Sequence, residues 1–139
     1  MKILTTATEA QEQTSLFEWA SLQQCKFPEL NMLYHIPNGG SRNKIEAGRL
    51  KAEGVKAGVP DLCLPVARGK YHGLYIELKR KKGGRTSEKQ SAWIDALEKQ
   101  GYKAVVCLGW EAAAKVILEY LEGGVCPNRD TNGGLTQNT

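Results

Sequence analysis

The spacing of apolar positions changes along this chain, and each change predicts an element. From Glu9 to about Cys25 the spacing is helical, with Leu16, Trp19, Ala20 and Leu22 near one face, and Pro28 ends it. Met32 to Ile36 predicts a short strand closed by the turn Pro37-Asn38-Gly39-Gly40. Ser41 can cap a helix from about Asn43 to Glu53, which Gly54 would end. Gly58-Val59-Pro60 leads into a strand from Asp61 to Leu64. From Gly73 to Lys79, Leu74, Ile76 and Leu78 alternate with Tyr75, Glu77 and Lys79, the period of a strand. Ser87-Glu88-Lys89-Gln90 matches a capping box and opens a helix whose stripe is Trp93, Ile94 and Leu97, stopped at Gly101. Ala104 to Leu108 is a continuous apolar run, which predicts a central strand buried on both faces. Trp110 to Glu122 predicts a last amphipathic helix, ended by Gly123-Gly124. The order αβαββαβα predicts an α/β fold, a mixed sheet flanked by helices. One domain over 1–124 is expected, followed by a disordered tail over 125–139, rich in Asn, Thr and Gly.

Length and composition add bounds. A chain of 139 residues can bury a core without disulfide staples. No apolar run reaches the roughly 20 residues that span a bilayer, and Met1 to Thr8 lacks the apolar segment of a signal peptide. No membrane association and a cytoplasmic location are therefore expected. The four cysteines, Cys25, Cys63, Cys107 and Cys126, show no C-x-x-C pairing and fit buried free thiols better than disulfides or zinc. Trp19, Trp93 and Trp110 fall in helical apolar patterns and are expected in the core rather than as stacking platforms. The net charge of +4 is compatible with a polyanionic partner without requiring one.

The distribution of charge says more. Glu77 and Lys79 are two apart on a strand and so point to one side, about 7 Å apart at the base. Asp61 begins the preceding strand, and a hairpin would bring it beside Glu77. Two converging carboxylates make an oxygen-rich site for a hard divalent cation, Mg²⁺ or Mn²⁺. Such an ion activates water and neutralises charge on a phosphate, and Lys79 adds a positive point charge. This is the chemistry of phosphodiester hydrolysis. A Glu-x-Lys pair alone has a plainer reading, a solvated ion pair worth under about 1 kcal/mol. The neighbouring words alter the balance.

Gly58-Val59-Pro60-Asp61-Leu62, Leu74-Tyr75-Ile76-Glu77-Leu78-Lys79 and Ser87-x-x-Gln90 together resemble the motif series of the VRR-NUC (virus-type replication-repair nuclease) domains of the PD-(D/E)xK superfamily. The likeness runs from about Glu9 to Leu121 and takes in Ile36-Pro37-Asn38-Gly39-Gly40, Glu53 to Gly58 and Gly101-Tyr102. It implies a restriction-endonuclease-like fold and Mg²⁺-dependent (or Mn²⁺-dependent) cleavage of DNA leaving 5′-phosphate and 3′-hydroxyl ends. By resemblance, Asp61 and Glu77 are metal ligands, the Leu78 carbonyl a possible third, and Lys79 the catalytic lysine. Gln90 resembles the glutamine at the head of the following helix. Its place on the Trp93, Ile94 and Leu97 stripe turns it toward the sheet, where a polar group needs a partner, although capping through Ser87 would also explain it. The family also places a first-helix glutamate at the metal. Glu9 matches best, Glu12 nearly as well and Glu18 less, against a plainer role at the helix dipole.

Two stretches are candidate DNA contacts. Arg80, Lys81, Lys82 and Arg85 around Gly83-Gly84 form a cationic loop, which is otherwise a solvated charge run. Asn38, Gly39, Gly40 and Arg42 could set backbone amides and a guanidinium on phosphates, or be a plain turn. The chain carries no sequence-reading module such as a helix-turn-helix, so branched DNA is the expected target. Stand-alone VRR-NUC chains resemble phage or prophage products acting in a bacterial cell, and junction-resolving nucleases that work as homodimers. Ile45 and Leu50 are candidates for the dimer surface, where periodicity does not separate core from interface. A non-catalytic nucleic-acid-binding domain and an RNA-directed nuclease are the rival readings.

Overall fold

A computed structural model of the chain describes residues 6–38 and 43–123. Helix α1 spans Glu9–Gln23 and opens on a capping box in which Thr8 Oγ1 accepts from Gln11 N and Gln11 Oε1 accepts from Thr8 N. A 3-10 turn, Pro28–Met32, leads to the short strand β1, Tyr34–His35. Met32, expected in that strand, belongs to the turn, which the proline at its first position favours. Helix α2, Lys44–Ala52, is capped by the Asn43 side chain. Ser41, expected as its cap, lies outside the described residues, as does the expected tail over 125–139. Strands β2, Leu62–Leu64, and β3, Leu74–Lys79, form a hairpin, and α3, Glu88–Lys99, carries the chain to β4, Lys103–Leu108. Helix α4, Trp110–Glu122, follows.

The four strands make one sheet in the order β1-β2-β3-β4, with the first two pairings antiparallel and β3·β4 parallel. The αβαββαβα order and mixed sheet therefore hold. The back face packs against α1 and α4 around Leu16, Leu62, Leu64, Leu74, Ile76, Leu78 and Ile117. Tyr120 on α4 closes one end by donating its hydroxyl to the Val66 carbonyl (2.5 Å).

Two expectations need correcting. Leu22 is 77% exposed, and the inward stripe of α1 is Glu12, Leu16 and Ala20, a strict four-residue repeat. Strand β4 is an edge strand, not a central one, and Val106 and Leu108 are exposed. An apolar run reports which residues favour a pleated surface, not how many neighbours the strand finds. The centre belongs to β3, whose Glu77 and Lys79 are buried on the opposite, front face. Cys63 and Cys107 are buried free thiols as expected, while Cys25 is exposed and Cys126 lies outside the described residues. Among the described residues no helix is long and apolar enough to cross a membrane.

Candidate active site

The site forms where β2 begins and β3 ends. Gly58 has φ +90°, and a Cβ there would come within 2.8 Å of the Lys89 backbone, so glycine lets the chain before β2 lie against the first turn of α3. Pro60 then delivers Asp61 to the head of β2. The Asp61 carbonyl accepts from Ile36 N (2.7 Å), with His35 Nδ1 2.9 Å away. Its carboxylate Oδ2 accepts from Leu78 N (2.9 Å), so a side chain makes the next rung after the ladder ends. Gly109 N donates to Lys79 O and Lys103 N to Gly73 O, so the odd-numbered residues of β3 face β4 and the Leu78 carbonyl turns toward Asp61.

Glu77 is 2% exposed. Its Oε1 accepts from Gln90 Nε2 (2.8 Å) and lies 3.4 Å from Lys79 Nζ. Its Oε2 has no hydrogen-bond partner among the described residues. Burial pushes the Glu77 carboxyl up to about 8, the negative charge of Asp61 adds to the rise, and Lys79 opposes it. Gln90 performs both of the roles considered for it. Its Oε1 accepts from Ser87 N in the α3 capping box, which leaves its amide nitrogen to donate to Glu77. Lys79 is buried under the glycine turn, since a Cβ on Gly84 would come within 2.9 Å of the Lys79 Cβ.

Asp61, Glu77, Lys79 and Gln90 are therefore brought together, and Glu9 lines the cleft beside Gly84, which packs on Lys79. Glu9 is exposed in the first turn of α1, whereas Glu12 is buried and accepts from Trp110 N at the head of α4 (2.6 Å). Four-residue spacing puts Glu12 in line with Leu16 and Ala20, and that spacing was readable in the sequence. Nothing in sequence pattern marked the capture of the Leu78 amide by Asp61.

Among the described residues no group of three His, Cys, Asp or Glu side chains is placed to hold a metal. Two carboxylates and a backbone carbonyl on one side of β3 still suit a hard cation that keeps much of its water. Glu77 Oε2 is buried with no donor and close enough to the Asp61 carboxylate for the two to repel, and a cation between them would relieve that repulsion, so the residues fit such an ion.

The candidate DNA-contact residues divide. Arg80, Lys82 and Arg85 are exposed. Lys81 pairs with Glu111 on α4 (2.9 Å), which raises the lysine and lowers the glutamate from their ordinary pKa values. Arg80, Gly83, Gly84 and Arg85 line an open cleft of about 380 Å³ with Thr8, Glu9 and Ala10 from the start of α1. Asn38 is half-buried and donates to the Val59 carbonyl (3.1 Å), holding the approach to Asp61. Gly39, Gly40 and Arg42 lie outside the described residues.

The VRR-NUC domain model matches residues 7–111, which contain every one of these residues. The chain belongs to the VRR-NUC family. Membership makes it a nuclease-type domain of the PD-(D/E)xK superfamily. A solved structure described as a "VRR_NUC domain protein" is 36% identical, with a TM-score of 0.76 over 88% of this chain and 95% of that one. No curated protein matches the chain.

Proposed function

We propose that this VRR-NUC domain is a divalent-metal-dependent endonuclease that hydrolyses phosphodiester bonds in branched DNA. The observation that carries the metal dependence is Glu77 Oε2, buried beside Asp61 without a hydrogen-bond donor. Asp61, Glu77 and the Leu78 carbonyl would hold Mg²⁺ or Mn²⁺. When bound, the ion supplies a more acidic water and a counter-charge for the phosphate.

The chain's own residues do the rest. Gln90 and Lys79 both hold Glu77 Oε1, so this carboxylate keeps one orientation and turns Oε2 toward Asp61. The Asp61 rung to Leu78 N holds the second carboxylate to the same strand. Lys79, buried at the end of β3, places a positive charge where negative charge develops on the phosphate, in a setting poor in water. Arg80, Lys82 and Arg85, exposed beside the site, would bind flanking phosphates and orient the strand. A domain that only bound nucleic acid would gain nothing from burying carboxylates that repel it.

Branched DNA is favoured because the described residues form no helix-turn-helix, and paired cuts across a junction call for two copies of a single-site domain. The test is cleavage of labelled four-way junction, flap, linear duplex, single strand and RNA by the purified protein, with Mg²⁺, Mn²⁺ and EDTA compared. Metal-dependent cleavage fastest on the junction is expected. Activity undiminished in EDTA would remove the metal from the reading, and equal rates on linear duplex would remove the preference.

A further inference from the structure

The front face of the sheet carries a second row of side chains beside the carboxylates. Tyr75 lies two residues before Glu77 on β3 and so shares its face. Cys63 is in register with Tyr75, and Tyr34 with Cys63, so the row continues across β2 to β1 on that same face. Helices α1 and α4 pack behind the sheet and α3 lies against β4. The β1 end of the row meets water, with Tyr34 48% exposed, whereas Tyr75 is half-buried and Cys63 between them is buried. Both phenol oxygens lie close to the Cys63 thiol, which ties the two rings to one point of the sheet. Tyr102 meets Tyr75 edge-on at 5.4 Å and steadies that ring from the β4 side. Tyr34 has no ring partner among the described residues.

We propose that Tyr34 and Tyr75 form a stacking platform for an unpaired base of the strand being cut. The proposal rests on the nuclease reading above and names the form of its substrate. The platform begins about 7 Å from Glu77 along β3, and Tyr34 lies two interstrand steps of about 4.8 Å beyond Tyr75. A phosphate held at Lys79 would leave an adjoining nucleotide over the tyrosine row. Tyr34, Cys63 and Tyr75 are neutral at pH 7, so they offer a phosphate little, and the flat face of a base is the part of a nucleotide that fits them. Within a duplex each base face is already covered by its neighbours, so only an unstacked base can lie on a ring. The strand should therefore be single where it is cut, as it is where strands part at a branch. Base identity should matter little, because every base has a π-face.

The test is binding of two strands of about ten nucleotides to the full chain in EDTA, one of thymidine and one of abasic deoxyribose. The strands carry equal charge and differ only in their bases. The unaltered chain should bind the thymidine strand about tenfold more tightly. Tyr34→Leu, which keeps apolar bulk without a ring, should remove most of that difference and leave abasic binding as it was. Tyr34→Phe should retain the difference. Equal affinity of the unaltered chain for the two strands overturns the proposal and leaves the nuclease reading standing. A loss in Tyr34→Leu that falls equally on both strands also overturns it. So does a loss as large in Tyr34→Phe, which would trace the effect to the hydroxyl. If Tyr34→Leu fails to fold, the Tyr34 ring-proton shifts of the unaltered chain decide, since they should move with the thymidine strand and not with the abasic one. A base preference carried by Tyr34, with no cleavage in Mg²⁺ or Mn²⁺, keeps the platform and removes the nuclease reading.

Discussion

Residues 77–79 and 80–85 are consecutive and both rich in charge, yet they occupy opposite environments. Glu77 and Lys79 are buried, held by Gln90, by each other and by the glycine turn packed on Lys79. Arg80, Lys82 and Arg85 stand in water, and Lys81 pairs with Glu111 at the surface. Burial makes the strand end a place where charge is costly and therefore reactive, whereas exposure leaves the loop screened and easily moved. A phosphodiesterase needs both, one to change the phosphate and the other to hold it.

The largest effect should come from the buried half. Glu77→Gln or Asp61→Asn removes the charge of a proposed metal ligand and little volume, so cleavage should fall about 1,000-fold or more with DNA binding retained. Single-turnover rates and a binding isotherm on each variant measure this, and substantial residual cleavage would sink the site. Lys79→Ala should lower the chemical step about 100-fold with little change in affinity. An equal loss in affinity would mean that Lys79 belongs functionally with the loop.

The buried carboxylate also predicts a pH response that the loop lacks. The Glu77 pKa lies at about 8 in the folded protein against an ordinary 4.5, so the fold holds its proton more tightly than the unfolded chain does. That stabilising contribution is fully present below the ordinary value and is lost as pH rises through about 8. The metal-free protein should melt at progressively lower temperature as pH is raised across this window. Mg²⁺ should offset the loss, and Glu77→Gln should flatten it. Calorimetry in EDTA and in Mg²⁺ checks this, and a melting temperature independent of pH in both would contradict the buried, unpartnered carboxylate.

The smallest effect belongs to the exposed half. Replacing Lys81, Lys82 and Arg85 with alanine should weaken binding about tenfold and flatten its salt dependence by roughly one unit of slope for each phosphate no longer neutralised. Lys81→Ala alone should contribute least, because Lys81 already has Glu111 as a partner. Unchanged salt slopes in the triple variant would show that the loop does not touch phosphates.

Much of this was legible in the sequence. Strand alternation in Leu74 to Lys79, the capping box at Ser87 to Gln90 and the glycines at helix ends are local rules, in which a residue's neighbours along the chain are its neighbours in space. They were enough to order the elements and to bring Asp61, Glu77 and Lys79 to one place, and Gln90 was found on the inward stripe where it meets Glu77. The spacing of Glu12, Leu16 and Ala20 is likewise local, but that this row and not the one through Trp19 and Leu22 faces the sheet is decided only by the packing of α1.

Short stretches of chain were sufficient for the elements, their order and the chemistry available at the end of β3, because backbone periodicity and side-chain type are local properties. The assembled fold was needed to make β4 an edge, to set Glu12 at the head of α4, and to bury one oxygen of Glu77 without a donor. Each of these depends on groups distant along the chain meeting, or failing to meet, in space. Burial and hydrogen-bond pairing are sums over the whole fold, and no window of sequence contains them.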